Sequence, residues 1–369
     1  MNQQYTVAII GLGAFSLVHA KAYAAIAGAR VVAACDIDPT RQASWVRQVE
    51  AFLPVHRIRF YDSAERLLDE QRPNLVSIVT KHDQHAALTI LCARAGVKGI
   101  LCEKPVSTDL ASADLVVESC SASGSKLAIG HQRRFDPEWQ AGLNLIRAGT
   151  IGKVLFAVSR WPDNKKVRHY RLAELGGGPL MWLSVHSVDL LRYFLGDVAR
   201  VTGQVDRGKG AVDTETQAYA ILWFQSGAQA TVECGPGIGP EITSEHSIMF
   251  YGERGAVEIC DGLGTRYRTV SQPRWQEVPL DPSLLPWPQR SHNSCVAEIR
   301  DLIQCIETGG EPRCSGEDGR AALEVIMAIY ESERTGGPVQ LPLANRQSPL
   351  NQMNREGRFG QMAWQPKSS

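Results

Sequence analysis

The sequence predicts an α/β dinucleotide-binding domain of the Rossmann type, followed by an α+β domain built on a large, mostly antiparallel open sheet. Three observations carry this. Short apolar runs rich in β-branched residues alternate with helical stretches as far as about Gly130, the mark of a parallel sheet covered on both faces. A glycine turn, Gly11-Leu12-Gly13, stands between the first such run and the first helix. Beyond Gly130 the strand-like runs follow one another with few helices between them, as in antiparallel sheets.

The elements follow in order. Thr6 to Ile10 is a short buried strand ended by glycine, and Leu17 to Ala27 is an Ala-rich helix stopped by Gly28. Val31 to Cys35 is the second strand and ends at Asp36. Leu75 to Val79, Gly99 to Cys102 and Leu127 to Ile129 are further strands, separated by helices over His85 to Ala95 and Leu110 to Ala122. Strands with alternating character then cover Lys153 to Trp161, Val198 to Val205, Gln217 to Phe224, Ala228 to Glu233, Ser247 to Tyr251 and Ala256 to Ile259. Ser226-Gly227 supplies a hairpin turn. A helix around Leu183 to Leu195 interrupts this series, and helices near Val296–Glu307 and Gly316–Arg334 close the domain. The expected division is 1–129, a NAD-binding domain; 130–343, a domain for substrate binding and oligomerisation; and 344–369, a polar arm or disordered tail.

Composition narrows the function. The 369 residues carry 39 Lys plus Arg against 39 Asp plus Glu, without the basic excess of a nucleic-acid binder. This balance points to a small-molecule partner. No apolar run approaches the ~18–20 residues of a membrane span, and the N-terminus lacks the pattern of a secretory signal. Nine cysteines without paired spacing fit reduced thiols in the cytoplasm, and the lack of Cys-x-x-Cys argues against a zinc site, so no metal is expected.

The glycine turn has a physical purpose. Gly11 allows the tight turn, Gly13 lets backbone approach a pyrophosphate, and Ala14 and Phe15 lead into a helix N-terminus whose free N–H groups favour phosphate. Ser16 replaces the usual third glycine. Asp36, at the end of the second strand and 20 residues beyond Ser16, is placed to accept bonds from ribose hydroxyls and to repel a 2′-phosphate. NAD is therefore expected over NADP, with Arg41 able to reach the same place.

Several further residues give the chain a resemblance to the glucose–fructose oxidoreductase, inositol dehydrogenase and MocA family. They are Gly11-Leu12-Gly13, Asp36-Ile37-Asp38, Thr80 with His85, Glu103-Lys104-Pro105, Gln132-Arg133-Arg134-Phe135, and Gly176-Gly177-Gly178 followed by His186 and Asp189. The resemblance runs over nearly all of residues 5 to 342. It implies an NAD(P)-dependent oxidoreductase (EC 1.1.1 type) acting on a secondary hydroxyl or ketone of a sugar, sugar derivative or cyclitol, as a homo-dimer or homo-tetramer. Lys104 and His186 match its catalytic lysine and histidine; Ile37, Thr80, His85 and Glu103 match positions about the cofactor. An ammonium can hold the oxygen whose charge changes, and an imidazole can take its proton near neutral pH. Arg134, Tyr170 and Trp182 are expected beside the substrate with Lys104 and His186.

The chain also departs from the family. Trp182 stands where an Asp is common four residues before the histidine, Ser184 where Gly is usual, and Lys81-His82 where Pro-Asn is usual. Trp cannot relay a proton but can stack on a sugar ring, and Tyr170 offers another hydroxyl. This departure leaves two alternative functions open: an NAD-assisted, non-redox glycoside-processing enzyme, or a cofactor-binding regulatory protein of the same fold.

Overall fold

The computed structural model describes residues 4–163, 173–206, 213–236 and 246–357. In chain order the first elements are β1 (Tyr5–Ile10), α1 (Ser16–Ala24), β2 (Ala29–Cys35), α2 (Pro39–Val49), β3 (Arg59–Tyr61), α3 (Ala64–Gln71), β4 (Leu75–Ile78), α4 (His82–Arg94), β5 (Gly99–Cys102), α5 (Leu110–Ser123) and β6 (Lys126–Ile129). There follow α6 (Pro137–Arg147), β7 (Val154–Asp163), a π-helical turn (Leu180–Ser184), α7 (Val185–Leu195), β8 (Val198–Asp206), β9 (Gln217–Phe224) and β10 (Gln229–Pro236). The last are β11 (Ser247–Gly252), β12 (Gly255–Cys260), β13 (Gly264–Thr269), β14 (Gln276–Glu277), α8 (Trp287–Thr308), α9 (Gly316–Thr335), β15 (Val339–Gln340) and α10 (Pro349–Arg355).

The chain forms two compact units. The first gathers residues up to Ser107, Ser112–Pro137 and Asp281–Arg320. Its sheet has the order β3-β2-β1-β4-β5-β6, every pair parallel. The order reverses between β1 and β4, where open α/β sheets bind ligands at their carboxyl ends. Val7, Ile9, Leu75 and Leu101 form its core with Tyr23 and Trp45, and α8 adds Cys295, Ile299 and Leu302 to the same cluster.

The second unit holds Glu138–Leu280, the chain from Ala321 and the short piece Thr108–Ala111. Its sheet runs β14-β13-β12-β11-β7-β10-β9-β8-β15, antiparallel throughout except for the β7–β10 pair. One face is packed, with Ala157, Leu222, Val232, Phe250 and Val257 buried. The other is open. Phe156, Tyr219 and Ile221 are 40–53% exposed on it, and Phe156 stacks on Tyr251 with ring centroids 4.4 Å apart.

Two boundaries differ from expectation. The helix expected near Val296–Glu307 closes the first unit, not the second, because the buried residues of α8 pack on α1 and the β5–β6 side of the parallel sheet. The segment after Ala344 is not a bare polar arm: α10 is capped by Ser348, which accepts from the Asn351 N–H (3.3 Å), and buries Leu350 and Met353 in the second unit. Residues 358–369 lie outside the described residues.

Candidate active site

The carboxyl end of the parallel sheet assembles most of the expected cofactor residues. Gly11 has φ +93°, and a Cβ there would lie 2.4 Å from the Val79 carbonyl oxygen, so no other residue fits the turn. Its N–H donates to Cys35 O (2.8 Å), which ties the turn to β2. A Cβ on Gly13 would meet Arg41 Nη1 at 3.6 Å and nothing nearer, so the outer side of the loop is bare backbone. The N–H groups of Gly13, Ala14 and Phe15 bond to no partner among the described residues, and α1 begins directly after them. This is the donor set a pyrophosphate requires. The Phe15 side chain itself packs on the core and edge-on against His19 (5.6 Å).

Ser16 explains how the loop does without a third glycine. Its hydroxyl donates to Gly13 O (2.6 Å) and accepts from Trp45 Nε1 (3.0 Å), so it bonds where glycine would merely pack.

Asp36 is fixed by both oxygens. Oδ2 accepts from the Leu12 N–H (2.8 Å) and Oδ1 from the Asp38 N–H (2.9 Å). Ile37 beside it is 87% exposed, an apolar surface at the edge of the site. Arg41 pairs with Asp38 at 3.6 Å, both about half exposed. The residues present fit NAD: a bare loop, three unpartnered amides and an immobilised carboxylate at the ribose position.

At the next strand ends, Thr80 lies against the loop, its Cγ2 2.9 Å from the place of a Gly11 Cβ. His85 is fully buried; its Nδ1 faces Pro105 O (2.7 Å) and its Nε2 faces Thr80 O (3.3 Å). Burial lowers its pKa, and the neutral ring, with its proton assigned to Nδ1 from the shorter contact, donates to Pro105 O and ties α4 to the chain after β5. We therefore place His85 behind the cofactor surface instead of on it.

Glu103 is likewise buried. Its Oε2 accepts from the backbone N–H of Lys104 (3.3 Å), and its Oε1 lies 3.1 Å from His19 Nε2. His19 Nδ1 is 3.1 Å from Ser77 Oγ, which is 2.9 Å from the Tyr23 hydroxyl. Donation from Tyr23 to Ser77, Ser77 to His19 and His19 to Glu103 satisfies every group, with the tautomer assigned from this network. Burial alone would raise the Glu103 pKa; the His19 hydrogen bond and the positive charge of Lys104 outweigh it and hold the carboxyl below its usual range. Gly130 makes room, since a Cβ there would sit 2.6 Å from Glu103 Oε1. Glu103 is thus a post for the half-buried Lys104. His19, Ser77 and Tyr23 escaped the sequence reading because their partners come from distant strands.

The Arg134 guanidinium, expected beside the substrate, is engaged within the first unit. It is buried, donates to the Arg313 carbonyl and pairs with Asp318 at 3.2 Å. Tyr170 lies outside the described residues.

In the second unit the glycine run leads into the π-helical turn that holds Trp182, and His186 is the second residue of α7. A Cβ on Gly177 would be 2.2 Å from the Tyr330 hydroxyl. Trp182 is half-buried and His186 is 4% exposed. A column of rings backs His186. The Trp161 ring lies 6.1 Å from it and stacks on His246 at 4.4 Å and 11°; Trp139 follows at 5.1 Å. Ser187 Oγ is 2.8 Å from His246 Nε2, and Trp139 Nε1 donates to Asp261 Oδ1 (2.8 Å). Trp161 and His246 carried no motif of their own.

The parallel sheet with its glycine turn and fixed acid defines a NAD-binding Rossmann domain, joined to an α/β domain on a mixed open sheet. Residues 5–131 match the oxidoreductase family with NAD-binding Rossmann fold, and residues 144–341 match that family's C-terminal alpha/beta domain. The chain belongs to this oxidoreductase family, the glucose–fructose oxidoreductase, inositol dehydrogenase and MocA group. A D-apiose dehydrogenase of Paraburkholderia graminis is 29% identical over 94% of this chain and 92% of its own length. A myo-inositol 2-dehydrogenase of Thermotoga maritima is 28% identical over 88% and 95%. Among solved structures, an oxidoreductase from Agrobacterium radiobacter in complex with NAD+, L-tartaric acid and magnesium superposes with a TM-score of 0.81 at 25% identity, covering 92% of this chain and 98% of its own.

Proposed function

We propose that this chain is a NAD-dependent dehydrogenase that interconverts a secondary hydroxyl and a ketone on a sugar, sugar derivative or cyclitol. The observation that carries this reading is the carboxyl end of the parallel sheet, where the bare Gly13 loop, the fixed Asp36 and the Glu103-braced Lys104 follow β1, β2 and β5 of the same sheet. The names of the relatives support the substrate class. Bound NAD supplies the hydride acceptor. Lys104 holds the hydroxyl oxygen as negative charge develops on it, and His186 takes the proton, so that CH–OH becomes C=O with hydride and proton leaving separately. Trp182 offers an aromatic face to the apolar side of the sugar ring. The test is NADH formation, followed at 340 nm, with a panel of cyclitols and aldoses. Binding of NAD without turnover of any of them would overturn the reading.

Asp36 leads to a preference for NAD. Both oxygens are held by backbone N–H groups, so the carboxylate cannot swing away from a 2′-phosphate. Discrimination of ~1–3 kcal/mol in kcat/KM is expected for one such repulsive contact. Asp36→Ala should narrow the gap, chiefly through weaker NAD binding. Equal kcat/KM for the two cofactors in the native enzyme would contradict this.

The open face of the second sheet supports a homo-dimer or homo-tetramer. An apolar face carrying Phe156, Tyr219 and Ile221 is an interface or a hazard. Light scattering at micromolar concentration should give a multiple of the 40.5 kDa chain, and Ile221→Glu should shift it toward one chain. A native species of one chain mass would contradict the proposal. The nine cysteines are all free thiols, which supports a place in the cytoplasm.

A further inference from the structure

We propose that Glu215 is a positioning residue for Trp182 and His186, holding the start of their helix through a buried clamp completed by Tyr330. The inference rests on the dehydrogenase reading above for its effect on turnover, but not for the clamp itself.

The entry to this helix lacks a cap of its own. The residue before the π-helical turn is Pro179, which has no N–H to offer and makes no side-chain cap bond. The first N–H groups of a helix have no intrahelical acceptor and need one from elsewhere. Here it comes from 35 residues along the chain. Glu215 Oε1 accepts from the Leu180 N–H (2.9 Å) and Oε2 from the Gly178 N–H (3.0 Å). The Tyr330 hydroxyl of α9 donates to the same Oε2 at 2.9 Å. Both Glu215 and Tyr330 are wholly buried. A carboxylate is also the charge that a helix N-terminus favours. The glycine run is shaped around the clamp: a Cβ on Gly178 would lie 2.1 Å from Glu215 O, and one on Gly177 2.2 Å from Tyr330 Oη.

The π-helical turn gives the clamp its consequence. Such turns are rare and carry an extra residue relative to the α-helix. Relaxing this one to α would shift the register by one residue, rotating the chain after the turn by about 100° relative to the chain before it. Trp182 lies inside the turn and His186 just after it, so their relative direction depends on the turn persisting. A buried carboxylate is a costly way to cap a helix, since burial pushes its pKa up. Three donors and the helix N-terminus offset part of this cost, and they fix one arrangement.

The test uses the full-length protein with Glu215→Gln and Tyr330→Phe. Gln offers one acceptor oxygen and places an NH2 group where another donor already points. Hydrogen exchange over residues 178–186 should rise by about 10-fold or more in E215Q, and less in Y330F, with β1–β6 unchanged. The kcat should fall by about 10-fold or more while NAD affinity holds, as expected for a misplaced catalytic group. In a His186→Ala background the same substitution should cost clearly less kcat than in the native protein, only the share that comes from placing Trp182, whereas a general loss of structure would cost as much in both backgrounds. Unchanged exchange in both variants would remove the clamp. Raised exchange with kcat within about twofold, or a full further loss in the His186→Ala background, would remove the positioning role. If the native protein oxidises none of the sugars or cyclitols, the dehydrogenase reading and the role in turnover fall together, while exchange still decides the clamp.

Discussion

Replacing His186 or Lys104 by alanine is expected to lower kcat by ~10²-fold or more, the range for a positioned acid–base or charge-stabilising group. The two should differ in what else they change. His186 sits on α7 of the second unit, backed by the Trp161–His246 column, and its loss would remove the proposed proton acceptor while leaving the glycine turn and Asp36 intact. NAD affinity should therefore survive in the His186 variant, and the kcat loss should lessen as pH rises and solvent base takes over. Lys104 follows a strand end in the NAD-binding unit and is braced by Glu103 through its backbone N–H. Its loss should reduce kcat at every pH. Steady-state kinetics with fluorescence titration of NAD separates these outcomes. Near-normal turnover in either variant would take that residue out of the mechanism.

Gly11→Ala should abolish usable NAD binding. The position has φ +93°, which costs an L-residue roughly 1–2 kcal/mol. The added Cβ would also sit 2.4 Å from a backbone carbonyl, Val79 O, which cannot move without β4. We expect a melting temperature lowered by several degrees and NAD affinity weakened by ~100-fold or more, since the loop amides would be displaced. Gly13→Ala is the contrast. Its Cβ meets Arg41 Nη1 at 3.6 Å alone, so the fold should melt as the native does while NAD binding still suffers from the methyl on the phosphate side. Native-like NAD affinity in Gly11→Ala would contradict the assignment of this loop.

The features legible in the sequence were those the backbone dictates locally. Gly11 and Asp36 were legible because a strand, a left-handed turn and an acid at a strand end recur at fixed spacing. The parallel and open sheets were legible because their hydrophobic periods differ. The posts behind Lys104 and behind the turn that leads to His186 were not. His19 and Glu103 are 84 residues apart, and Glu215 reaches Gly178 across 37, so no window contains both partners. A period of 3.6 told that α8 has an apolar face but not which sheet it covers. The helix expected around Leu183 to Leu195 begins earlier, as a π turn over Leu180–Ser184 that no period of 3.6 announces. Arg134 belongs to a family motif, and that membership does not reveal that its guanidinium meets Asp318 and the Arg313 carbonyl.

The central claim is that hydride leaves a substrate carbinol carbon while His186 takes the proton. Label transfer tests it most directly. A cyclitol or aldose that supports NADH formation is prepared with deuterium on the carbon to be oxidised, and the nicotinamide product is analysed by mass spectrometry and NMR. The account predicts one deuterium on C4 of the ring for each ketone formed, transferred to one face. Product that appears without net NADH, with deuterium returned to the sugar or lost to water, would contradict it and point to NAD-assisted non-redox processing.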